Sequence, residues 1–176
     1  MMDTEYPVLT LKERDRRWDM IRKLMTERGL DCLMLAGLYG MEQLDGYLTN
    51  DHVHAMVIFP LDGEPACLTW SASYIIRQWE DLRRGGTTWM MDYRVGPTAM
   101  HWVNVLKEKG YEAANIGVVG LATHTPGNPE GFIPYNAWAY VLENMPGAQF
   151  HEVSQHFAEA MMCNSEEERV LIRHAA

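Results

Sequence analysis

The residues best suited to chemistry in this sequence form one short cluster, Asp51-His52-Val53-His54. Two imidazoles at positions i and i+2 of an extended segment point to the same side, where they can share a metal ion. A catalytic zinc site takes about three protein ligands and a structural site about four. The nearest further candidates, Asp45, His101 and His124, have no recognised motif spacing. The pattern leaves a metal site open and favours a hydrogen-bonded or solvent-facing histidine pair.

The cysteines do not offer a better candidate. Cys32 and Cys67 each lie within an apolar run, and Cys163 is far from both in the sequence. This pattern favours free, buried thiols in a reducing compartment, because a nucleophilic cysteine needs a setting that stabilises its thiolate. The motifs of a serine-hydrolase elbow, a phosphate-binding loop and a dinucleotide-binding loop are also missing. Judged by its own residues, the chain lacks a convincing catalytic apparatus.

The composition is that of a single globular domain. The chain has 176 residues, 47% of them apolar and 22% charged, which is enough for one core. Its net charge of -9 repels phosphate backbones, so nucleic acid is not an expected partner. The basic residues between positions 12 and 28 alternate with acidic ones, as on a solvated helix face. Without a signal core or a run of about 18 apolar residues, we expect no membrane partner and a cytoplasmic location.

Apolar periodicity and turn signals predict the elements that position the candidate residues. Thr10-Leu11-Lys12-Glu13 has the spacing of a capping box and opens an amphipathic helix, which Gly29 ends before a short apolar strand. Two strands around the turn Leu61-Asp62-Gly63-Glu64 form a hairpin. We predict helices over 10–28, 71–82, 97–109, 135–143, 154–162 and from 165 onward, and strands over 30–36, 54–60, 65–70, 87–93, 116–120 and 149–153. This order indicates an α/β fold, with a mixed, about six-stranded sheet covered by helices.

Side-chain types also predict local packing. Ser71 or Ser73 is expected to cap the second helix, and Ser154 the helix that begins there. Large aromatic side chains on predicted apolar faces are expected in the core. These are Trp70, Trp79, Trp89, Trp102 and Trp138.

The last residues are typical of the start of a helix. Ser165 and Glu168 have the spacing of a capping box, and acidic residues fill the first turn. Neither glycine nor proline follows to end the helix. The apolar face that follows consists of Val170, Leu171, Ile172 and Ala175. Since such a face needs a surface to lie against, we expect the chain to be a piece of a longer protein.

Three segments together resemble the N-terminal domain of the creatinase/prolidase/aminopeptidase P superfamily. They are Arg28-Gly29-Leu30-Asp31-Cys32-Leu33-Met34-Leu35, Gly46-Tyr47-Leu48-Thr49-Asn50 and residues 162–176. One departure is visible, because Cys163-Asn164 stands where the family usually has a lysine before the serine. The resemblance covers nearly the whole chain and implies the family's mixed α/β fold, with a ribonuclease H-like motif. It also implies a domain over 1–162 and a linker helix into a further domain from 163.

The resemblance implies a function as well. The chain would be the non-catalytic N-terminal domain of a hydrolase, either an Xaa-Pro dipeptidase or aminopeptidase or a creatinase-like amidinohydrolase. In the peptidases a second domain holds two divalent metal ions, such as manganese, cobalt or zinc, so no cofactor is expected in this chain. The N-terminal domain helps to form a homodimer and sends loop residues toward the partner's active site. By position, Asp51, His52 and His54 would contact substrate across that dimer.

Two other functions stay open. Some relatives with this domain pair have lost catalysis, so the chain could belong to an inactive relative that binds peptides or proteins. The third possibility is a self-contained enzyme that uses the histidine pair with a metal ion. It predicts stoichiometric metal in the purified chain.

Overall fold

The computed structural model describes residues 6–37, 44–51, 56–122 and 131–176. Within these ranges the predicted six strands are present, with seven helices. The strands are β1 (Cys32–Ala36), β2 (Met56–Pro60), β3 (Ala66–Thr69), β4 (Asp92–Val95), β5 (Asn115–Val119) and β6 (Gln149–Glu152). The helices are α1 (Leu11–Glu27), α2 (Gly46–Thr49), α3 (Ala72–Arg83), α4 (Ala99–Glu108), α5 (Tyr135–Asn144), α6 (Ser154–Met161) and α7 (Glu166–Ala175).

The strands form one mixed sheet in the order β4-β3-β2-β1-β5-β6, which confirms the predicted architecture. The predicted hairpin is also confirmed, because β2 and β3 pair antiparallel. Gly63, in the turn between them, has φ +94, a conformation that L side chains rarely adopt. β2 also pairs antiparallel with β1, whereas the other neighbouring strands are parallel. Five strands therefore run one way and β2 runs the other.

Both faces of the central strands are buried, which explains why these strands are apolar throughout rather than alternating. On one face Leu33 and Leu35 of β1 pack in a cluster with residues of α1, α2 and α6. On the other face Cys32 and Met34 pack with residues of α4 and α5. The sheet is thus the middle layer of a helix–sheet–helix sandwich.

Three of the four predicted caps are absent and one is present. Thr10 stands at the N-cap of α1, but its hydroxyl donates to Glu167 Oε1 at 2.9 Å instead of capping its own helix. The Ser154 hydroxyl accepts from Gly120 N at 2.8 Å, so it also caps nothing. At α7 the predicted capping box is complete, with Ser165 and Glu168 bonding each other's backbone N–H groups. Thr10 and Ser154 bond to residues distant in sequence, which local spacing does not encode. Ser71 stands at the N-cap of α3, but its hydroxyl pairs with that of Ser73 and makes no cap.

The predicted core positions of two tryptophans are wrong. Trp89 and Trp102 are fully buried, but Trp70 and Trp79 are exposed. α3, which carries Trp79, packs mainly on β3 and β4 and buries none of its residues. The strand predicted over 87–93 also starts later, at Asp92, because Trp89 and Met90 insert into the core before it.

None of the helices in the described ranges has the length and apolar character required to cross a membrane.

Gly117 in β5 should tolerate no side chain. A Cβ there would lie 2.8 Å from Leu30 Cδ1 and would also overlap Leu33 Cδ2. We expect Gly117→Ala to reduce the free energy of unfolding by about 1–3 kcal/mol through overpacking, measured by urea denaturation. In the Leu33→Val background the same change should cost less, because the clashing methyl group is withdrawn. Additive effects of the two substitutions would contradict this packing.

Candidate functional site

One edge of the sheet collects the ends of five strands. Because β1, β3, β4, β5 and β6 run in the same direction, their C-terminal ends lie together, and antiparallel β2 begins there. We call this the carboxyl edge. Ligands of open α/β sheets bind at such an edge. Asp51, in the connection between α2 and β2, therefore belongs to the part of the fold where a site is expected.

The short helix α2 ends just before Asp51 and sets the path of the backbone there. Asp45 Oδ1 accepts from Gly46 N at 3.0 Å, and Asn50 ends the helix in the left-handed conformation, with φ 53. The Asn50 N–H donates to Gly46 O at 2.9 Å. Asparagine tolerates this conformation better than most residues, so Asn50 redirects the backbone at low cost.

The Asp51 carboxylate is hydrogen-bonded to two side chains of α3. Arg77 Nη2 donates to Asp51 Oδ1 at 2.5 Å, and the Gln78 amide donates to Asp51 Oδ2. The Asp51 side chain is nearly buried, while the Arg77 side chain is half exposed. These bonds connect the segment that follows α2 to the helix that covers the β3–β4 side of the sheet. Asp51 thus has a clear positioning role, and its contact with substrate stays a prediction.

His52 and His54 lie outside the described residues, so their predicted roles stay predictions. In the ranges that the structure does describe, no group of three or more His, Cys, Asp or Glu side chains is arranged to hold a metal ion.

The predicted burial of two thiols is confirmed. Cys32 and Cys67 are buried, and this burial raises the pKa of both thiols far above the ordinary value. Neither side chain is therefore available as a thiolate nucleophile. Cys163 is exposed and free.

The main charged site in the described structure is centred on Arg17, which is 5% exposed. Its guanidinium donates to Glu13 Oε1 at 2.8 Å, to Tyr47 O at 2.9 Å and to Glu168 Oε1 at 2.9 Å. The same group lies over the rings of Tyr47 and Trp89, at 4.4 and 5.1 Å from their centroids. Arg17 therefore joins α1, the turn of α2 and the first turn of α7. We call Arg17, Glu13, Tyr47, Glu168 and Trp89 the Arg17 cluster.

The electrostatics of the Arg17 cluster favour its charged form. Burial alone would raise the pKa of the Glu13 carboxyl, but hydrogen bonds from Arg16 and Arg17 outweigh it and lower the pKa to about 2. The hydrogen bonds to Glu13 likewise raise the pKa of Arg16. The prediction of a solvated α1 face is therefore wrong at Glu13 and Arg17, which are buried in a paired state.

A second set of contacts fixes α7 against the start of α1. Glu167 accepts from the Thr10 N–H at 2.8 Å and from its hydroxyl at 2.9 Å, and Arg16 donates to Glu168 Oε2 at 3.2 Å. Of the predicted apolar side chains of α7, Val170 and Ile172 are exposed and Leu171 is partly buried. The acidic first turn is held on α1, while apolar side chains beyond it are exposed to solvent.

A groove of about 410 Å³ opens between the start of α4, the start of α5 and the end of β3. Among the described residues the lining is mostly aromatic and apolar, with the polar side chains of Thr98 and Asn136 and no charged side chain, as is typical of ligand clefts. The lining residues are Trp70, Pro97, Thr98, Ala99, Met100, Trp102, Pro134, Asn136, Ala137 and Tyr140.

Comparison with known proteins gives matches of structure only. No protein-family profile matches the sequence, and neither does any curated protein. The solved N-terminal domain of the cytoplasmic peptidase PepQ from Mycobacterium tuberculosis has 10% identity and a TM-score of 0.58, over 82% of this chain and 98% of that one. The creatinase/prolidase N-terminal domain of an X-Pro dipeptidase from Streptococcus pyogenes has 15% identity and a TM-score of 0.52, over 82% and 98%.

The chain has the fold of the creatinase/prolidase N-terminal domain. The resemblance read from the sequence is thereby confirmed at the level of fold. A longer protein, an Xaa-Pro dipeptidase from Bacillus anthracis, has 15% identity and a TM-score of 0.61, and the match covers 92% of this chain but only 39% of that one. The creatinase/prolidase N-terminal fold thus occurs both as a separately solved domain and as the smaller part of a longer peptidase.

Sequence reasoning missed the Arg17 cluster in this creatinase/prolidase N-terminal fold. Glu13 and Arg17 have the i, i+4 spacing of an ordinary surface ion pair, so their burial has no local signature. A weak signal was present, because Arg17 adjoins Trp18 at the buried stripe of α1. The acceptor Glu168 is 151 positions away in the sequence, beyond the reach of pattern analysis.

Removing the central cation should strongly destabilise the domain. We expect Arg17→Met to lower the free energy of unfolding by about 3–5 kcal/mol, because Tyr47 O would lose its donor and Glu13 and Glu168 would keep only the partly exposed Arg16 as counter-charge. Arg169→Ala is the matched control, since Arg169 is exposed and pairs with Glu166 on the surface; its effect should stay within about 0.5 kcal/mol. Urea denaturation measures both. Equal effects of the two substitutions would contradict the proposed role of the Arg17 cluster.

The lowered pKa of Glu13 predicts a specific acid sensitivity. Its folded-state pKa of about 2 lies below the ordinary 4.5, so its contribution to stability is present above pH 4.5 and is lost as the pH falls toward 2. We expect the stability difference between the native protein and Glu13→Gln to shrink by about 2 kcal/mol between pH 5 and pH 3. Chemical denaturation at each pH gives this difference. Parallel stability profiles would show that Glu13 has an ordinary pKa.

Proposed function

We propose that this chain is the non-catalytic N-terminal domain of a hydrolase of the Xaa-Pro peptidase or creatinase type. In this proposal the domain supports substrate specificity and dimerisation, and a C-terminal domain carries the catalytic groups. The observation that carries the proposal is how α7 is held and which of its side chains are exposed. Its first turn is held on α1 by the buried charge of Arg17, yet the apolar side chains of Val170 and Ile172 are exposed to solvent. A helix that is fixed in place and exposes apolar side chains is suited to packing against a further domain.

The lengths of the solved structures support the assignment of catalysis to a separate domain. The match occupies 39% of the Bacillus anthracis Xaa-Pro dipeptidase, so most of that enzyme lies outside the shared domain. The domains from Mycobacterium tuberculosis and Streptococcus pyogenes, by contrast, are matched over 98% of their length.

The hydrogen bonds of the carboxylates and the burial of two thiols also support a non-catalytic role. In the described structure the carboxylates of Glu13, Asp51 and Glu168 all accept hydrogen bonds from arginines, and Cys32 and Cys67 are buried. These groups are used to hold elements together, which leaves them poorly suited to activate a water molecule. The two divalent ions of a peptidase, such as manganese, cobalt or zinc, are assigned in this proposal to the C-terminal domain.

The segment around Asp51 is the proposed specificity element. Asp51 is itself held on α3 at the carboxyl edge, and His52 and His54 follow it in the sequence. In the proposal these side chains reach the active site of the partner subunit, where they contact substrate. Residues that contact the substrate but do not take part in the chemistry affect KM more than kcat.

Steady-state kinetics of the protein that contains both domains test this role. We expect Asp51→Ala, His52→Ala and His54→Ala each to raise KM for an Xaa-Pro dipeptide or creatine several-fold, with smaller changes in kcat. His151→Ala is the control, because His151 is exposed on the edge strand β6 and should alter neither constant. Unchanged KM and kcat in all three variants would contradict the specificity role.

A second candidate function is a peptide- or protein-binding module of a catalytically inactive relative. The observation that favours it is the uncharged aromatic groove beside Trp70 and Tyr140, because aromatic-lined grooves recognise extended peptides. An activity measurement distinguishes the two candidate functions. Release of proline or urea by the two-domain protein supplied with Mn²⁺ supports the first proposal, whereas peptide binding without hydrolysis supports the second.

A further inference from the structure

The outer edge of β4 offers unpaired backbone groups. In the described part of the chain β4 pairs on one side only, with β3. The Gly96 N–H donates to Thr69 O at 3.0 Å, so the alternate residues Asp92 and Arg94 also direct their backbone groups toward β3. The N–H and C=O groups of Tyr93 and Val95 therefore point away from the sheet. Such an edge is a template for a further strand.

Apolar side chains border this edge. Ile76 and Trp79 lie one turn apart on α3 and are 58% and 57% exposed, and Met91, just before β4, is 62% exposed. Trp79 and Met91 line the same small hollow as Tyr93, and exposed Val95 lies on the same strand face as Tyr93. We call Ile76, Trp79, Met91 and Val95 the α3–β4 patch.

The opposite edge of the sheet lacks this character. β6 exposes Gln149, His151 and Glu152, and its apolar side chain, Phe150, packs edge-on against Trp138 at 5.0 Å. Charged and polar side chains are a common protection of edge strands against pairing. The β4 edge is therefore the better candidate for contact with another chain.

We propose that β4 pairs antiparallel with β4 of a second copy of this chain, forming a symmetric dimer with a continuous twelve-stranded sheet. The two-fold axis passes beside Arg94, so Tyr93 lies opposite Val95 of the second copy. Each such pair exchanges two backbone hydrogen bonds, and symmetry doubles them to about four. The α3–β4 patches meet on one side of the joined sheet. This inference deepens the dimerisation part of the proposed function by naming its surface.

The available area and charge agree with this partner. The four patch side chains expose on the order of 400 Å², which is about half of the roughly 800 Å² per partner that a stable dimer buries; the strand and the flank of α3 supply the remainder. Repulsion at the axis is limited, because Arg94 is already bonded to Asp92 at 2.7 Å and to Glu108 at 2.5 Å. Each copy thus brings its own counter-charges.

Sedimentation equilibrium of the 176-residue chain is the first test. The expected result is a dimer with a dissociation constant in the micromolar range, weakened at least ten-fold by Trp79→Glu and by Val95→Lys. Tyr135→Glu is the matched control, since Tyr135 is 83% exposed on α5, away from the patch, and should leave the dimer unchanged. Circular dichroism confirms that each variant is folded. A monomeric native chain, or a dimer insensitive to both patch variants, overturns the proposal.

A disulfide test examines the register. Directly opposite residues of a non-hydrogen-bonded antiparallel pair have Cα atoms about 4.5 Å apart, within the range that a disulfide spans. In a Cys163→Ser background, Arg94→Cys should therefore form a covalent dimer under mild oxidation, whereas His151→Cys on β6 should not. Equal cross-linking of both variants overturns the register. Neither experiment involves α7 or substrate, so a failure here leaves the hydrolase assignment to the kinetic test.

Discussion

The buried guanidinium of Arg17 is the contact on which the arrangement of the helices depends. It touches α1, the turn of α2 and the start of α7 together. A buried ion pair adds little to stability compared with an apolar replacement, but losing one partner is expensive. Its effect is therefore to favour a single arrangement, since any other position of Glu168 would remove one of the two carboxylates that pair with the buried Arg17 guanidinium. The rings of Tyr47 and Trp89 complete the enclosure of that charge.

This constraint connects the core to both proposed functional surfaces. Through Glu168 it sets the direction of α7, which carries the exposed apolar side chains of Val170 and Ile172. Through the carbonyl of Tyr47 it holds α2, and α2 leads directly to Asp51. The segment around Asp51 and the helix α7 are thus supported by the same charged group. In the proposed function they contact different partners.

The sequence predicted the parts of the fold that local pattern controls. Apolar runs identified the central strands, Gly63 marked the β2–β3 turn, and Ser165 with Glu168 marked the start of α7. Prediction failed where a side chain bonds to a residue distant in the sequence, as Thr10 does with Glu167 and Arg17 with Glu168. It also failed at Trp79, because periodicity shows that α3 has an apolar side but not that the sheet ends beneath it. Of the candidate site, the sequence indicated the segment around Asp51 but not its anchor on Arg77.

In the proposed function, α7 presents a prepared surface to a catalytic domain. Hydrogen–deuterium exchange tests this role most directly, by comparing the chain alone with the protein that includes the C-terminal domain. We expect strong added protection of the α7 amides around Val170 and Ile172, and none at α5, where Tyr135 and Leu142 are also exposed. Unchanged exchange in α7 would contradict the proposed role of this helix.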